Sequence, residues 1–256
     1  MYIHIDHVSK EYKQNDRVIK ALKDVSLTIE RREFICLLGS SGCGKTTLLN
    51  LLAGFEAPSS GRIVIDGTEV KRPSPKYVTI FQNYSLLPWR TVQKNVELGL
   101  EAKRLPKKEI HDISSRYLNL VGLENFSKAH PYQLSGGMQQ RVAIACALAV
   151  DPDIIFMDEP FGALDAFTRT KMQDEIFNIQ RGQQKTIVFV THDIEEAVFL
   201  SDRIVIMTPN PGKIKKIIPV NLGDHRSRTN VDFQSIRHRV FAEFEVTEND
   251  TTEYYI

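Results

Sequence analysis

Paired cysteines, a large net charge and long apolar runs are all missing from this sequence. Three cysteines stand among its 256 residues, Cys36, Cys43 and Cys146. An odd number with no C-x-x-C spacing favours reduced thiols in a cytosolic compartment over a disulfide framework. No apolar run approaches the ~18 residues of a membrane span, and Met1 leads directly into a strand-like YIHIDHV with no signal-peptide pattern. The chain itself is therefore expected to be soluble. With 33 basic and 32 acidic residues the formal net charge is +1, which leaves no electrostatic footprint for nucleic acid or an anionic membrane surface. The seven histidines do not cluster. The length suits one large domain, or a domain with a subdomain, and is enough to bury a sizeable core.

What is present is organised around residues 34–54, FICLLGSSGCGKTTLLNLLAG. An apolar run reads as a buried strand, GSSGCGKTT as a turn, and the residues from Leu48 to Ala53 as a helix. Gly39, Gly42, Gly44, Lys45 and Thr46 fit G-x-x-x-x-G-K-[ST], the phosphate-binding loop. Glycines reach φ > 0 and let successive N–H groups point into one nest, and the helix start adds its own N–H groups and positive dipole end. Lys45 suits the β- and γ-phosphates as a point charge, and the Thr46 hydroxyl suits Mg²⁺. Cys43, inside the loop beside Lys45, is expected to have a lowered thiol pKa and raised reactivity.

Before this stretch, residues 2–8 and 18–30 read as strands, with KEYKQND between them as a hairpin or bulge. Tyr12, in that loop, either stacks on an adenine ring or covers the edge of the core. After it, RIVIDG and the stretch Tyr77 to Phe81 read as strands, and Gln82 at a strand end either meets Mg²⁺ and water or has no role. From Thr91 to about Gly122 the period becomes helical, with Ile110, Ile113, Tyr117, Leu118 and Val121 on one face and Gly122 at the helix end. This suggests an inserted helical subdomain over 84–150. Ser135, Gly136 and Gly137 open another helix, as an anion site or as a plain N-cap. IIFMDEP is a buried strand whose tip offers Asp158 for a Mg²⁺-bound water and Glu159 as general base. TIVFVTHD is a further strand, after which Asp193 and Glu196 read as an N-cap with its capping partner. His192, just past this strand, is either a structural histidine or a ligand contact at the sheet edge expected to carry Lys45 and Asp158. A strand KIKKIIPV, an amphipathic helix TNVDFQSIRHRVFAEF and a fraying polar tail complete an α/β pattern.

In this order GSSGCGKTT, Gln82, LSGGMQQR (134–141), IIFMDEP, Leu164 with Asp165, and His192 resemble the nucleotide-binding subunit of ATP-binding-cassette transporters, over residues 2 to about 245. The resemblance implies an ATPase with a RecA-like P-loop core, an N-terminal antiparallel β lobe and an inserted α-helical subdomain. Core and lobe would take 1–83 and 151–220, the helical subdomain 84–150, and a C-terminal helix and tail 221–256. ATP and Mg²⁺ are the implied ligands, with two ATP molecules between the phosphate loop of one chain and the LSGG helix of a second copy. The implied nucleotide contacts are Tyr12 on the adenine; Gly39, Ser40, Ser41, Gly42, Cys43, Gly44, Lys45, Thr46 and Thr47 on the phosphates; Ser135, Gly136 and Gly137; and Asp165 at the dimer seam. Thr46, Gln82 and Asp158 would hold the metal. Glu159 would be the base, His192 the γ-phosphate sensor, and Gln82 a hinge sensing Mg²⁺ and the membrane partner. Met138 stands where many members have Gln, a change that spares Ser135 and the backbone N–H groups.

Within the family, LLPWRTVQKNV and PGKI with HRSRTNVDFQSIRHRV look like importers of the nitrate, sulfonate and taurine group. That implies two copies of this chain, two membrane permease subunits and an external solute-binding protein, with this chain peripheral on the cytoplasmic face of the inner membrane. Residues 84–89, from Tyr84 to the chain's only Trp, Trp89, are the expected permease contact; the alternative is that Trp89 packs inside the helical subdomain. A soluble cassette ATPase of DNA repair or translation would carry a long coiled-coil insertion or two cassettes, and neither is here. A nucleotide sensor without hydrolysis is disfavoured by Glu159 and His192.

Overall fold

Where the sequence alternates apolar and polar residues the chain forms an antiparallel sheet, and where it runs apolar without interruption it forms parallel strands. The computed structural model describes residues 1–14, 17–223 and 226–252, Gln14 and the last eight by backbone alone. The chain divides into two compact units, one of Met1–Ser74 with the described residues from Phe177 onward, the other of Pro75–Ile176.

In the first unit β1 (Ile3–Gln14) pairs antiparallel with β2 (Arg17–Ile29), Ile3 facing Ile29 and Tyr12 facing Ile19. On its other edge β1 pairs with β4 (Ser60–Ile65), which turns into the short β5 (Thr68–Glu69). Ile3, Ile5, Val25, Leu27, Ile29, Ile63 and Ile65 are buried at period two, which fixes the register. The polar stretch expected as a loop is instead strand: β1 continues through Lys10–Gln14 after register shifts between Ile5 and Glu11. The far part of this ribbon faces exposed Val18 and Ile19. A ribbon open to solvent carries no apolar alternation to read.

The parallel strands of this unit are β3 (Phe34–Leu38), flanked by β8 (Thr186–Thr191) and β9 (Arg203–Thr208), with β10 (Lys213–Pro219) antiparallel on β9. Every residue of β3 and β8 is buried. The register sets Leu38 opposite Thr191, so the segments leaving β3 and β8 start at the same sheet edge. α1 (Lys45–Ala53), α6 (Ile194–Leu200) and α7 (Val231–Thr252) belong to this unit. α7 runs on into the polar stretch expected to fray, and the final residues 253–256 lie outside the described ones.

The second unit holds the parallel pair β6 (Tyr77–Ile80) and β7 (Ile154–Asp158), with α2 (Val92–Ala102), α3 (Lys107–Leu120) and α4 (Gly136–Ala149) packed on one another. Thr91 caps α2 by accepting from Lys94 N at 3.3 Å, and Gly122 at φ 66° follows the end of α3. Ile110, Tyr117, Leu118 and Val121 are buried on the expected face, but Ile113 is only half-buried. The fully buried place belongs to Ser114, whose hydroxyl accepts from Gln93 Nε2 at 2.6 Å. α5 (Ala166–Gln183) is the helix in which the division between the units falls.

Candidate active site

The turn between β3 and α1 can form only with glycine at key points. Gly42 and Gly44 hold φ of 78° and 89°, where a side chain is strained. A Cβ on Gly39 would stand 2.5 Å from Cys43 Sγ and 2.9 Å from the Met207 carbonyl oxygen, so the loop curls back on itself tightly. Lys45, only 6% exposed, donates from Nζ to the carbonyls of Gly39 at 2.7 Å and Ser40 at 2.9 Å, and so lies across the loop's concave side. α1 has no side-chain cap and no acidic residue in its first turn, which leaves its positive end for an anion.

Tyr12 reaches this loop from β1. Its hydroxyl donates to Glu56 Oε2 at 2.7 Å, and Lys10 Nζ lies 3.0 Å from the same carboxylate and 5.0 Å over the ring. Burial and then Glu56 push the phenol pKa up, while a hydrogen bond with Thr47, in the first turn of α1, works the other way. Burial would raise Glu56, but the bonds from Tyr12 and Lys10 prevail and lower it. Glu56 and Lys10 were not singled out from the sequence, and nothing in their local pattern signals a partner 44 positions away.

His192 is exposed at the turn after β8, on the sheet edge that the phosphate loop leaves. The turn is tied down by Thr191, whose hydroxyl accepts the Asp193 N–H at 3.0 Å and donates to Glu196 Oε2 at 2.7 Å. Asp193 is the N-cap of α6, accepting from the N–H groups of Glu195 and Glu196. Glu196, expected as its capping partner, donates its N–H to Asp193 Oδ1 at 3.2 Å, and its carboxylate accepts from the Thr191 hydroxyl at 2.7 Å.

The thiol expectation is corrected. Cys43 is fully buried, and burial raises its pKa against the opposing pull of Lys45; Cys36 is raised well above the usual thiol range and Cys146 to about 12, both by burial. The Cys43 side chain points under the loop, toward Gly39. Proximity to a cation and a helix start does not outweigh the loss of water.

In the second unit the register sets Ile80 opposite Met157, so Gln82 and the Asp158–Glu159 pair follow the same end of the β6–β7 pair. Asp158 is buried and Gln82 exposed. Glu159 has φ 46° and Tyr84 and Ser85 have 51° and 52°, a left-handed backbone that costs non-glycine residues about 1–3 kcal/mol and gathers at functional sites. Ser135 is the N-cap of α4, its Oγ accepting from Met138 N at 3.3 Å, so the plain capping role is present. A Cβ on Gly136 would meet Tyr84 Oη at 2.8 Å and one on Gly137 the Ala163 carbonyl at 3.0 Å. Asp165 accepts from Thr168 N at 3.0 Å, and that bond holds its pKa low. Trp89 is 72% exposed, which removes the core-packing alternative for it. Phe81, Tyr84, Leu86, Leu98, Cys146 and Val150 line a mostly apolar cavity of about 250 Å³.

Comparison with known proteins agrees with this geometry. The ABC transporter family model matches residues 22–162. An ABC transporter ATP-binding protein of Methanocaldococcus jannaschii is 48% identical over 236 residues, 92% of this chain and 88% of its own length. An aliphatic sulfonates import ATP-binding protein of Bacillus cereus is 45% identical over 96% of both chains, and a nitrate import ATP-binding protein of Synechocystis sp. is 43% identical over 95% of this chain and 92% of its own. The dimeric, post-hydrolysis structure of the ATP-binding cassette MJ0796 bound to ADP and Pi matches with a TM-score of 0.80 at 35% identity, covering 86% of this chain and 100% of that one. With the family model spanning over half of its length and such relatives nearly all of it, this chain belongs to the ABC transporter family.

Proposed function

We propose that this chain is the ATP-hydrolysing subunit of an importer for a small anionic solute of the sulfonate or nitrate kind. It would work as two copies on the cytoplasmic face of the membrane, with two permease subunits and an external solute-binding protein. The observation that carries the ATPase reading is the shared edge of β3 and β8, from which a glycine loop built for a polyphosphate and a histidine turn both emerge. The solute class rests on the sulfonate and nitrate import relatives.

The residues fit the implied ligands. Gly39 leaves the space that a tightly curled loop needs, and the start of α1 is kept clear of acids, as a phosphate cradle requires. Residues 39–47 would hold the phosphates of ATP and Tyr12 its base, with the Ser135–Gly137 helix start and Asp165 of a second copy completing the site. Among the described residues no three of His, Cys, Asp and Glu cluster as a metal site. The proposed donors are one hydroxyl, one amide and one carboxylate, Thr46, Gln82 and Asp158. They suit Mg²⁺, which takes few protein oxygens and keeps water and phosphate for the rest. Bound MgATP supplies the phosphoryl group and the charge neutralisation for its transfer to water. Glu159 would accept the proton of that water at its carboxylate, and His192 would donate to the γ-phosphate. ATP held across two copies favours the closed dimer, and closure is the link to the permease.

The test is to purify the chain with its permease subunits, measure MgATP hydrolysis, and follow uptake of a sulfonate and of nitrate into proteoliposomes. Hydrolysis with uptake of either solute supports the reading. A chain that binds ATP without turnover, or one that hydrolyses ATP but never copurifies with a permease, overturns it. Trp89→Ala is expected to weaken copurification and leave ATP binding by the isolated chain intact.

A further inference from the structure

The chain after β10 grips α6 at both ends. Arg226, its side chain 1% exposed, donates from Nη1 to the carbonyls of Ser201 at 2.7 Å, Phe199 at 2.8 Å and Val198 at 3.3 Å. These are the carbonyls that a helix end leaves unsatisfied. Its Nη2 lies 3.5 Å from Asp202, and the Arg228 guanidinium lies 3.8 Å over the Phe199 ring. α7 packs on α6, with Phe233 and Val240 fully buried, and Arg237 Nε donates to Glu195 Oε1 at 3.1 Å in the first turn of α6. Lys215 and Lys216 of β10 bind Glu243 further along α7 and fix the helix in place.

A helix of seven residues has little stability of its own and takes its position from what it packs on. The position of α6 matters because the His192 turn is continuous with it: Asp193 caps α6, and Thr191 bonds to Asp193 on one side of His192 and to Glu196 inside the helix. A concavity of about 400 Å³ has His192, Asp193, Glu195, Arg237 and Phe241 in its wall, so α7 borders the same hollow as the imidazole. This C-terminal segment lies beyond the residues matched by the family model.

We infer that residues 226–240 form a clamp that sets the placement of His192, with Arg226 and Arg237 as positioning residues acting through α6. The inference rests on the assignment of His192 to the γ-phosphate. Nucleotide is held by the phosphate loop and Tyr12, so the clamp governs turnover and leaves affinity alone.

The test measures steady-state MgATP hydrolysis by the full chain carrying Arg237→Glu, Glu195→Arg, or both. Each single reversal is expected to lower kcat about two- to fivefold, the range of an exposed pair, with KM for ATP unchanged. The double reversal is expected to recover the lost rate, which a general loss of packing would not do. Arg226→Met is expected to lower kcat about tenfold or more, since a charged donor leaves three carbonyls. Both members of the 195–237 pair are surface groups, so their variants keep the test open if Arg226→Met does not fold. Single reversals with wild-type kcat, a double reversal no faster than the singles, or a change confined to KM or melting temperature would each overturn the clamp. His192→Ala serves as the reference. If it is inactive while both reversals turn over normally, the clamp alone is wrong; if it hydrolyses at the wild-type rate, the assignment of His192 fails and the clamp with it.

Discussion

The two units of this chain hold their chemical groups in different ways. In the first, Lys45 lies on the carbonyls of its own loop, Tyr12 is fastened to Glu56, and the His192 turn is bound through Thr191 to buried Glu196. In the second, Ser135 and Asp165 are helix caps, and Glu159 and Tyr84 sit on left-handed backbone. Bonds of the first kind are made by the fold itself. A cap satisfies an N–H that the helix end otherwise leaves unpaired, and left-handed backbone at a non-glycine residue stores strain. Under the proposed function the contrast supports a division of labour: the phosphate loop and Tyr12 of the first unit fix affinity, while its His192 turn, together with the second unit, governs turnover and assembly.

The largest effect expected from this division is at Glu159. Glu159→Gln keeps the shape and removes the base, and should slow hydrolysis by about 10²–10⁴-fold with the Kd for MgATP unchanged. Gel filtration of that variant with MgATP should show the dimer accumulating. Hydrolysis at the wild-type rate would place the base elsewhere and break the comparison at its strongest point.

A mixing experiment asks whether the two halves of a site come from different chains. Lys45→Ala removes a group of the first unit and Ser135→Arg blocks one of the second, so each homodimer should be nearly inactive. If the sites are shared, a heterodimer has one doubly damaged and one intact site. Random exchange makes half of the dimers mixed, so activity should return to about a quarter of the wild-type rate if one site suffices. A mixture that exchanges subunits but stays inactive would oppose shared sites, unless a tandem chain with one wild-type site were inactive too.

Much of this arrangement was legible in the sequence because it is local. G-x-x-x-x-G-K-[ST] dictates a strand, a tight turn and a helix within a short stretch, and the apolar runs of β3, β7 and β8 end where their chemical residues begin. What the sequence did not reveal depends on distant partners. Tyr12 reads as a loop residue because a solvent-open ribbon has no apolar period. Its orientation comes from Glu56, and the grip of Arg226 on α6 spans 25 to 28 positions. Cys43 departs from the expectation because local charge is visible in a sequence and burial is not.

That correction makes the next prediction. A buried thiol with a raised pKa is mostly protonated near neutral pH, so maleimide should label Cys43 more slowly than a free cysteine, at a rate that climbs with pH. Labelling can be followed by mass spectrometry of the intact chain. Fast modification at neutral pH would mean that the loop opens readily, and the first unit would lose its claim to be the fixed partner in the comparison.

The smallest expected effect tests that claim at Glu56. Its folded pKa lies below the unfolded value because Tyr12 and Lys10 hold the carboxylate. A depressed pKa contributes stability that is complete above the unfolded value and is lost as pH falls through the folded one. Glu56→Gln should therefore destabilise the chain at pH 7 by about 1 kcal/mol, lowering Tm by about 2–4 °C. Below the carboxylate range the wild-type residue is protonated too, and the two melting temperatures should converge. Tyr12 would still be present but less firmly aimed, so the variant should also bind ATP somewhat more weakly while kcat stays the same. A Tm difference that persisted at acid pH would show that Glu56 acts through packing instead of charge. A fall in kcat with unchanged affinity would show that Glu56 acts on turnover and not on the hold of Tyr12 on the nucleotide.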